Sequence, residues 1–263
     1  MKKKKILWGF IAVISLIIFC VALMYVIKSL SRDSANDGSN FRDTGYNGEA
    51  FEGTDENGFA ENHGINWKEL KKTNLDTYAW IYIPDTQIDW PVVQPDNGED
   101  DDFYLTRNIK KKDSSAGCIY SEMQNSKDFT DPITVLYGHN MADGSMFATL
   151  HKFENTDFFN QHEFMYIYTP GHKLTYEIYS AYKYDNRHIL NSFDFSDKKV
   201  LLDYLKYTQH PVSTVANTRS LKKLGIKLGK NSKVLTLSTC TSNVEGDTRY
   251  IVQGVLLKDE PTE

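Results

Sequence analysis

The chain has 263 residues, 40% apolar and 25% charged, which excludes disorder throughout and leaves room for one sizeable domain with appendages. Lys and Arg number 30 against 35 Asp and Glu, and five of the basic residues precede residue 29; the rest of the chain therefore carries 25 basic and 35 acidic groups, a net −10 that argues against a nucleic-acid partner. Three cysteines, Cys20, Cys118 and Cys240, are too few for a disulfide-stapled scaffold.

Residues 1–5 form a basic tail carrying Lys2, Lys3, Lys4 and Lys5, and an uncharged run follows from Ile6 to Ile27. As a helix rising ~1.5 Å per residue, the run spans roughly 33 Å, enough for the hydrocarbon core of a bilayer. The lysines keep their side cytoplasmic and put the remainder outside. Trp8 and Tyr25 suit the two interfaces. A cleaved signal peptide is the rival reading, but the run is long for one and no clear A-x-A site follows. Ile18 and Phe19 are too bulky to precede a lipidated Cys20. The expectation is a single-pass signal-anchor over 6–27 that holds the following domain on the outer face of the cell membrane. Residues 28–64, rich in Gly, Asp, Asn, Glu and Ser and including His63, read as a flexible acidic linker.

The folded part, 65–263, opens with Trp67, Leu70 and Leu75 at roughly helical spacing, so a short helix is expected over 67–75. Eight strand signals then follow: YAWIYI (78–83), QIDWPVV (87–93), GCIYS (117–121), ITVLYG (133–138), FMYIYT (164–169), KLTYEIYSAYKY (173–184), KVLTLST (233–239) and RYIVQGVLL (249–257). Leu174, Tyr176 and Ile178 alternate with Thr175, Glu177 and Tyr179, the pattern of a half-buried sheet. SMFATLHKF (145–153) reads as a short helix. SDKKVLLDYLKYTQHP reads as a long one, with Ser196 as N-cap, Asp197 in the first turn, Val200, Leu201, Tyr204, Leu205 and Thr208 on one face, and Pro211 as terminator. The sum is a mostly β fold, a mainly antiparallel barrel or sandwich decorated with helices.

Cys240 ends the seventh strand and Arg249 opens the eighth. Cys240 is open to three readings: a buried small hydrophobe, half of a disulfide with Cys118, or a nucleophile. A cysteine nucleophile needs a thiolate, a proton carrier for the leaving group, and donors where negative charge develops. If the two strands are neighbours, Arg249, charged at any working pH, reaches the same sheet end as Cys240. Of seven histidines, His139 stands out, because it directly follows the strand ITVLYG and precedes Asn140 and a turn at Gly144. His162, His172 and His188 fall in polar loops or at loop edges, and His151 and His210 on or beside helices.

TLSTC with RY nine residues beyond the cysteine, and YGHNM about a hundred residues upstream, resembles the sortase family of cysteine transpeptidases. The resemblance runs from Trp67 to Leu257 and includes DTYAWIYIPDTQIDWPVVQ (76–94), which looks like the opening of the sortase barrel. It implies an eight-stranded barrel with an N-terminal helix and a long helix between strands 6 and 7. It implies His139 as the family histidine, Cys240 as the nucleophile and Arg249 as the family arginine. Tyr137, Ser238, Leu105 and Asp101 are the implied substrate-groove neighbours. The partners it implies are surface proteins bearing a sorting signal, cleaved after threonine through a Cys240 thioester, and an amine of the cell wall that resolves it, with linkage of pilin subunits as the alternative. The helices 67–75 and 196–209 look like those of class B members, which mostly prefer Asn-Pro-x-Thr to Leu-Pro-x-Thr-Gly. The Asp-Pro-aromatic lid motif of class C is missing, since Asp131-Pro132 precedes Ile133. One departure is Asp101, where class B members often have Asn four residues before the groove leucine, here Leu105.

Other classes fit less well. Papain-like enzymes place Cys before His, chymotrypsin-like cysteine proteases want a G-x-C-G turn, and L,D-transpeptidases an S-x-G-C turn. A non-catalytic surface adhesin would not require Cys240, His139 and Arg249 together. No C-x-x-C, H-E-x-x-H or glycine-rich phosphate loop is present, so no metal or nucleotide cofactor is expected.

Overall fold

The structure, a computed structural model, describes residues 62–96, 98–241 and 248–262, together with Phe19 and residues 21–24, which are helical. The basic tail 1–5, most of the apolar run 6–27 and nearly all of the linker 28–64 lie outside the described residues. Among the described residues no helix is long and apolar enough to cross a membrane.

Nine strands are described: β1 (Thr77–Tyr82), β2 (Asp89–Val93), β3 (Ile119–Tyr120), β4 (Ile133–Tyr137), β5 (Phe164–Thr169), β6 (His172–Asp185), β7 (Ala216–Thr218), β8 (Val234–Cys240) and β9 (Thr248–Pro261). They form one sheet in the order β5-β1-β2-β3-β4-β8-β9-β6-β7, and a further β5–β6 pairing closes eight of them into a barrel with β7 attached outside the ring at β6. Closure removes the exposed edges that an open sheet of this size would present. The helices are α1 (Trp67–Thr73), α2 (Thr156–Gln161), α3 (Ile189–Ser192) and α4 (Lys198–Gln209), with 3-10 turns at Phe103–Leu105 and Ala148–Glu154.

Two apolar layers explain why the central strands read as continuous apolar runs. Leu136 and Leu235 face the barrel interior with Phe147, Ile167 and Tyr176. Their strand neighbours Val135 and Val234 face outward, beneath Leu201, Tyr204 and Leu205 of α4. A strand buried on both faces loses the two-residue alternation. The half-buried expectation for β6 is overturned as well: Thr175, Glu177 and Tyr179 are buried like their neighbours. Tyr179 packs in the layer under α4, and the Glu177 carboxylate pairs with Arg219 at 3.2 Å. Gln253, fully buried between β8 and α4, donates to Thr236 Oγ1 at 2.9 Å and to Tyr204 Oη at 3.2 Å and accepts from Tyr182 Oη at 3.1 Å. A satisfied polar network of this kind pins α4 in one orientation over the sheet.

Several local expectations are corrected. His63 is not linker: it is buried, its Nε2 lies 3.0 Å from Asp89 Oδ1, and its ring stacks on Tyr168 with centroids 5.0 Å apart. Leu75 follows α1 in a turn and is exposed, because the helix ends at Thr73 and Asn74 caps it in an extended conformation. Residues 148–154 form a 3-10 helix. β7 gave no sequence signal, having three residues and no apolar alternation. Asp197, not Ser196, caps α4: its carboxylate accepts from the Lys199 and Val200 amides at 2.7 and 3.2 Å, while the Ser196 hydroxyl is turned back to Asp194 at 2.6 Å. Asp197→Ala is therefore expected to lower stability by about 1 kcal/mol in urea denaturation. Ser196→Ala, made alongside, should cost clearly less; the reverse ranking would return the cap to Ser196.

Candidate active site

β4 and β8 run parallel in register, with Tyr137 beside Ser238, and β8 and β9 run antiparallel with Cys240 opposite Arg249. Side chains two residues apart share a face, so the step from Tyr137 to His139 and from Ser238 to Cys240 carries both onto the same barrel end. His139 lies just past the end of β4. The turn between them needs a glycine, because a Cβ on Gly138 would sit 2.5 Å from Ile119 Cδ1 and 2.8 Å from the Phe147 ring.

A cavity of about 520 Å³ opens at this end, and its walls include Leu105, Tyr137, His139, Ser238, Cys240 and Arg249. His139 is held from the opposite wall: its Nε2 lies 2.7 Å from the Leu105 carbonyl. A carbonyl only accepts, so Nε2 carries the hydrogen, and in the neutral ring Nδ1 is left as the acceptor. The Leu105 loop is itself tied down, with the Cys118 amide donating to the Tyr104 carbonyl at 2.9 Å. Cys240 is partly exposed, Cys118 is buried, and no disulfide joins them. Arg249 donates through Nη1 to the Thr248 carbonyl at 3.4 Å, and its positive charge is felt at the Tyr120 phenol.

Of the four expected groove residues, Leu105, Tyr137 and Ser238 line the cavity. Asp101 is not among the lining residues; its carboxylate accepts from the Met123 amide at 2.8 Å and fastens the acidic loop to the segment after β3. Burial raises the Tyr137 pKa well above that of a free phenol, with the nearby Glu122 charge adding to the rise. Tyr137 is thus a neutral donor at any physiological pH.

Sequence reasoning missed Glu122 and the part His188 plays. His188 Nε2 lies 2.6 Å from Glu122 Oε1, and both residues line the cavity. The Asn191 amide donates to His188 Nδ1 at 3.1 Å, which leaves the hydrogen on Nε2, facing the carboxylate. Burial raises the Glu122 pKa, against the pull of His188. The two are 66 residues apart, so no local spacing signals the pair. Among the described residues no cluster of three or more His, Cys, Asp or Glu is placed to hold a metal ion.

Residues 81–257 match the Sortase domain family. Sortase B of Listeria monocytogenes is 32% identical over 192 residues, which is 72% of this chain and 73% of that protein. Among solved structures, a mutant form of Clostridium perfringens sortase B is 34% identical, with a TM-score of 0.63 over 73% of this chain and 87% of that one. Sortase B from Bacillus anthracis is 30% identical, with a TM-score of 0.63 over 76% of this chain and 88% of that one.

Proposed function

The chain belongs to the sortase family of cysteine transpeptidases, and from that premise we propose that it cleaves an Asn-Pro-x-Thr sorting signal after threonine and transfers the threonine carbonyl to an amine of the cell wall. The observation that carries this reading is the convergence of Cys240, Arg249 and His139 on one cavity from three adjacent segments of the barrel.

The steps follow from the groups present. The Cys240 thiol passes its proton to His139 Nδ1, the thiolate attacks the threonine carbonyl carbon, and Arg249 donates to the oxygen as it gains negative charge. His139 gives a proton to the departing amine as the C–N bond breaks, leaving a thioester; Nδ1 is the ring atom not engaged by Leu105. An incoming amine then attacks the thioester and loses a proton to His139, and the thiolate leaves. Leu105, Tyr137 and Ser238 supply the groove walls on the signal's side. An acceptor amine that fills the cavity excludes water, which favours transfer over hydrolysis.

The apolar run 6–27 supports a membrane anchor, with residues 28–61 as tether and the catalytic part, which takes in His63, on the outer face, where wall peptides and sorting-signal proteins meet it. Detergent-solubilised full chain should cleave a quenched Asn-Pro-x-Thr peptide at least about tenfold faster than a Leu-Pro-x-Thr-Gly peptide, a difference of about 1.4 kcal/mol. Mass spectrometry should place the cut after threonine and find an adduct when a wall-type amine is present. Preference for the Leu-Pro peptide would overturn the class B substrate. Cleavage at any other bond would overturn the proposed reaction.

A further inference from the structure

The β4–β8 ladder stops one rung short of the candidate nucleophile. Its pairing runs from Ile133 beside Val234 to Tyr137 beside Ser238. Its last rung is the Gly138 amide donating to the Ser238 carbonyl at 3.2 Å. In a parallel ladder the next carbonyl on that edge is that of Cys240, and the amide of residue 140 would serve it. By then β4 has ended. His139 has left the sheet, and the loop doubles back so that the Phe147 amide reaches the His139 carbonyl at 2.9 Å.

A strand-end carbonyl in this position needs another donor. Two side chains provide it. Asn140 Nδ2 donates to the Cys240 carbonyl at 3.1 Å; His151 Nε2 lies 3.0 Å from the same oxygen and 3.2 Å from Asn140 Nδ2, and it donates to the carbonyl in the ring that carries hydrogen on both nitrogens, the form in which Nδ1 also donates to Glu154. His151 comes from a separate element, the 3-10 helix Ala148–Glu154. Its ring is fixed on both remaining sides: it stacks on Tyr250 with centroids 4.9 Å apart, and Glu154 Oε1 lies 2.6 Å from Nδ1. Tyr250 is the residue after Arg249 on β9, so the clamp ties the Cys240 main chain to both neighbouring segments of the site.

We propose that His151, held by Glu154, is a positioning residue for the nucleophile: with Asn140 it replaces the missing ladder rung and fixes the main chain from which the Cys240 side chain projects. The proposal rests on Cys240 being the nucleophile. A reacting group on a strand terminus is useful only if its backbone is held within a fraction of an ångström of the productive position, and a misplacement of about 1 Å costs about 10²-fold in rate. His151 touches neither the attacked carbonyl nor the leaving group in this account; it acts through Cys240.

The experiment follows thioester formation on Cys240 in the full chain by rapid-quench mass spectrometry with the Asn-Pro-x-Thr peptide, beside thermal melts of each variant. His151→Ala is expected to slow acylation about 10- to 100-fold, with KM within about twofold and the melting temperature nearly unchanged. His151→Gln keeps an N–H donor near the position of Nε2 and should recover most of the rate. His151→Leu keeps bulk on Tyr250 without a donor, should be as slow as alanine, and serves in its place if the alanine variant does not fold. Wild-type acylation in both variants that lack a donor, an equal loss in His151→Gln, or a loss confined to KM or to the melting temperature would overturn the proposal alone. A wild type that forms no thioester on Cys240 would overturn the functional reading and this proposal together.

Discussion

Replacing Cys240 with alanine is expected to reduce turnover of the sorting peptide below detection while the barrel stays folded. The side chain is partly exposed at the last position of β8, so its loss removes little buried area. The contacts that fix this strand end run through the Cys240 carbonyl, which alanine retains. The chemistry has no substitute: without a sulfur nucleophile the thioester cannot form, and the leaving group has no partner in a two-step transfer. The same argument predicts that a methanethiosulfonate reagent inactivates the wild type by modifying Cys240, found by peptide mass spectrometry. Cys118 is the internal control, since it is only 7% exposed and should react slowly. Loss of activity with modification confined to Cys118 would remove Cys240 from the nucleophile's place.

Arg249→Lys is expected to lower kcat/KM by about 10²–10³, the usual cost of losing one donor aimed at a developing oxyanion. Lysine keeps the charge, so the test separates charge from shape. A guanidinium presents a planar fork of fixed donors, whereas an ammonium is a point charge on a flexible stem. The register makes the substitution informative: Arg249 faces Cys240 across the β8–β9 pair, with Ile251 opposite Ser238 behind it, so the lysine starts from the same place on the barrel end. Circular dichroism and the melting temperature should match wild type. A lysine variant with near-normal kcat/KM would leave Arg249 a structural role and shift oxyanion stabilisation to other donors in the cavity.

The local grammar of this chain was legible without its coordinates. FMYIYT became β5, Phe164–Thr169, and the eight strand signals became the eight members of the closed ring. The helix ahead of Pro211 formed with Leu201, Tyr204, Leu205 and Thr208 buried. Such features depend on side-chain period and turn residues within about ten positions, which the sequence displays directly. The order of YGHNM, TLSTC and RY, through its resemblance to the sortase family, singled out His139, Cys240 and Arg249 before any geometry.

What only the tertiary structure decided involves residues far apart in the chain. Glu122 and His188 meet across 66 positions, His151 reaches Cys240 across 89, and His63 is drawn out of an acidic spacer by Asp89 and two tyrosine rings. The outer face of β6 reads as polar because Thr175 and Glu177 lie on it, yet that face is buried. Ser196 read as the cap, with Asp197 in the first turn, until Asp194 claimed the Ser196 hydroxyl. A sequence states which groups must be buried or must find hydrogen-bond partners. Which partner each one finds is settled by the order in which strands pair, and by where β4 stops while β8 continues to Cys240, since pairing brings together segments that no local spacing relates.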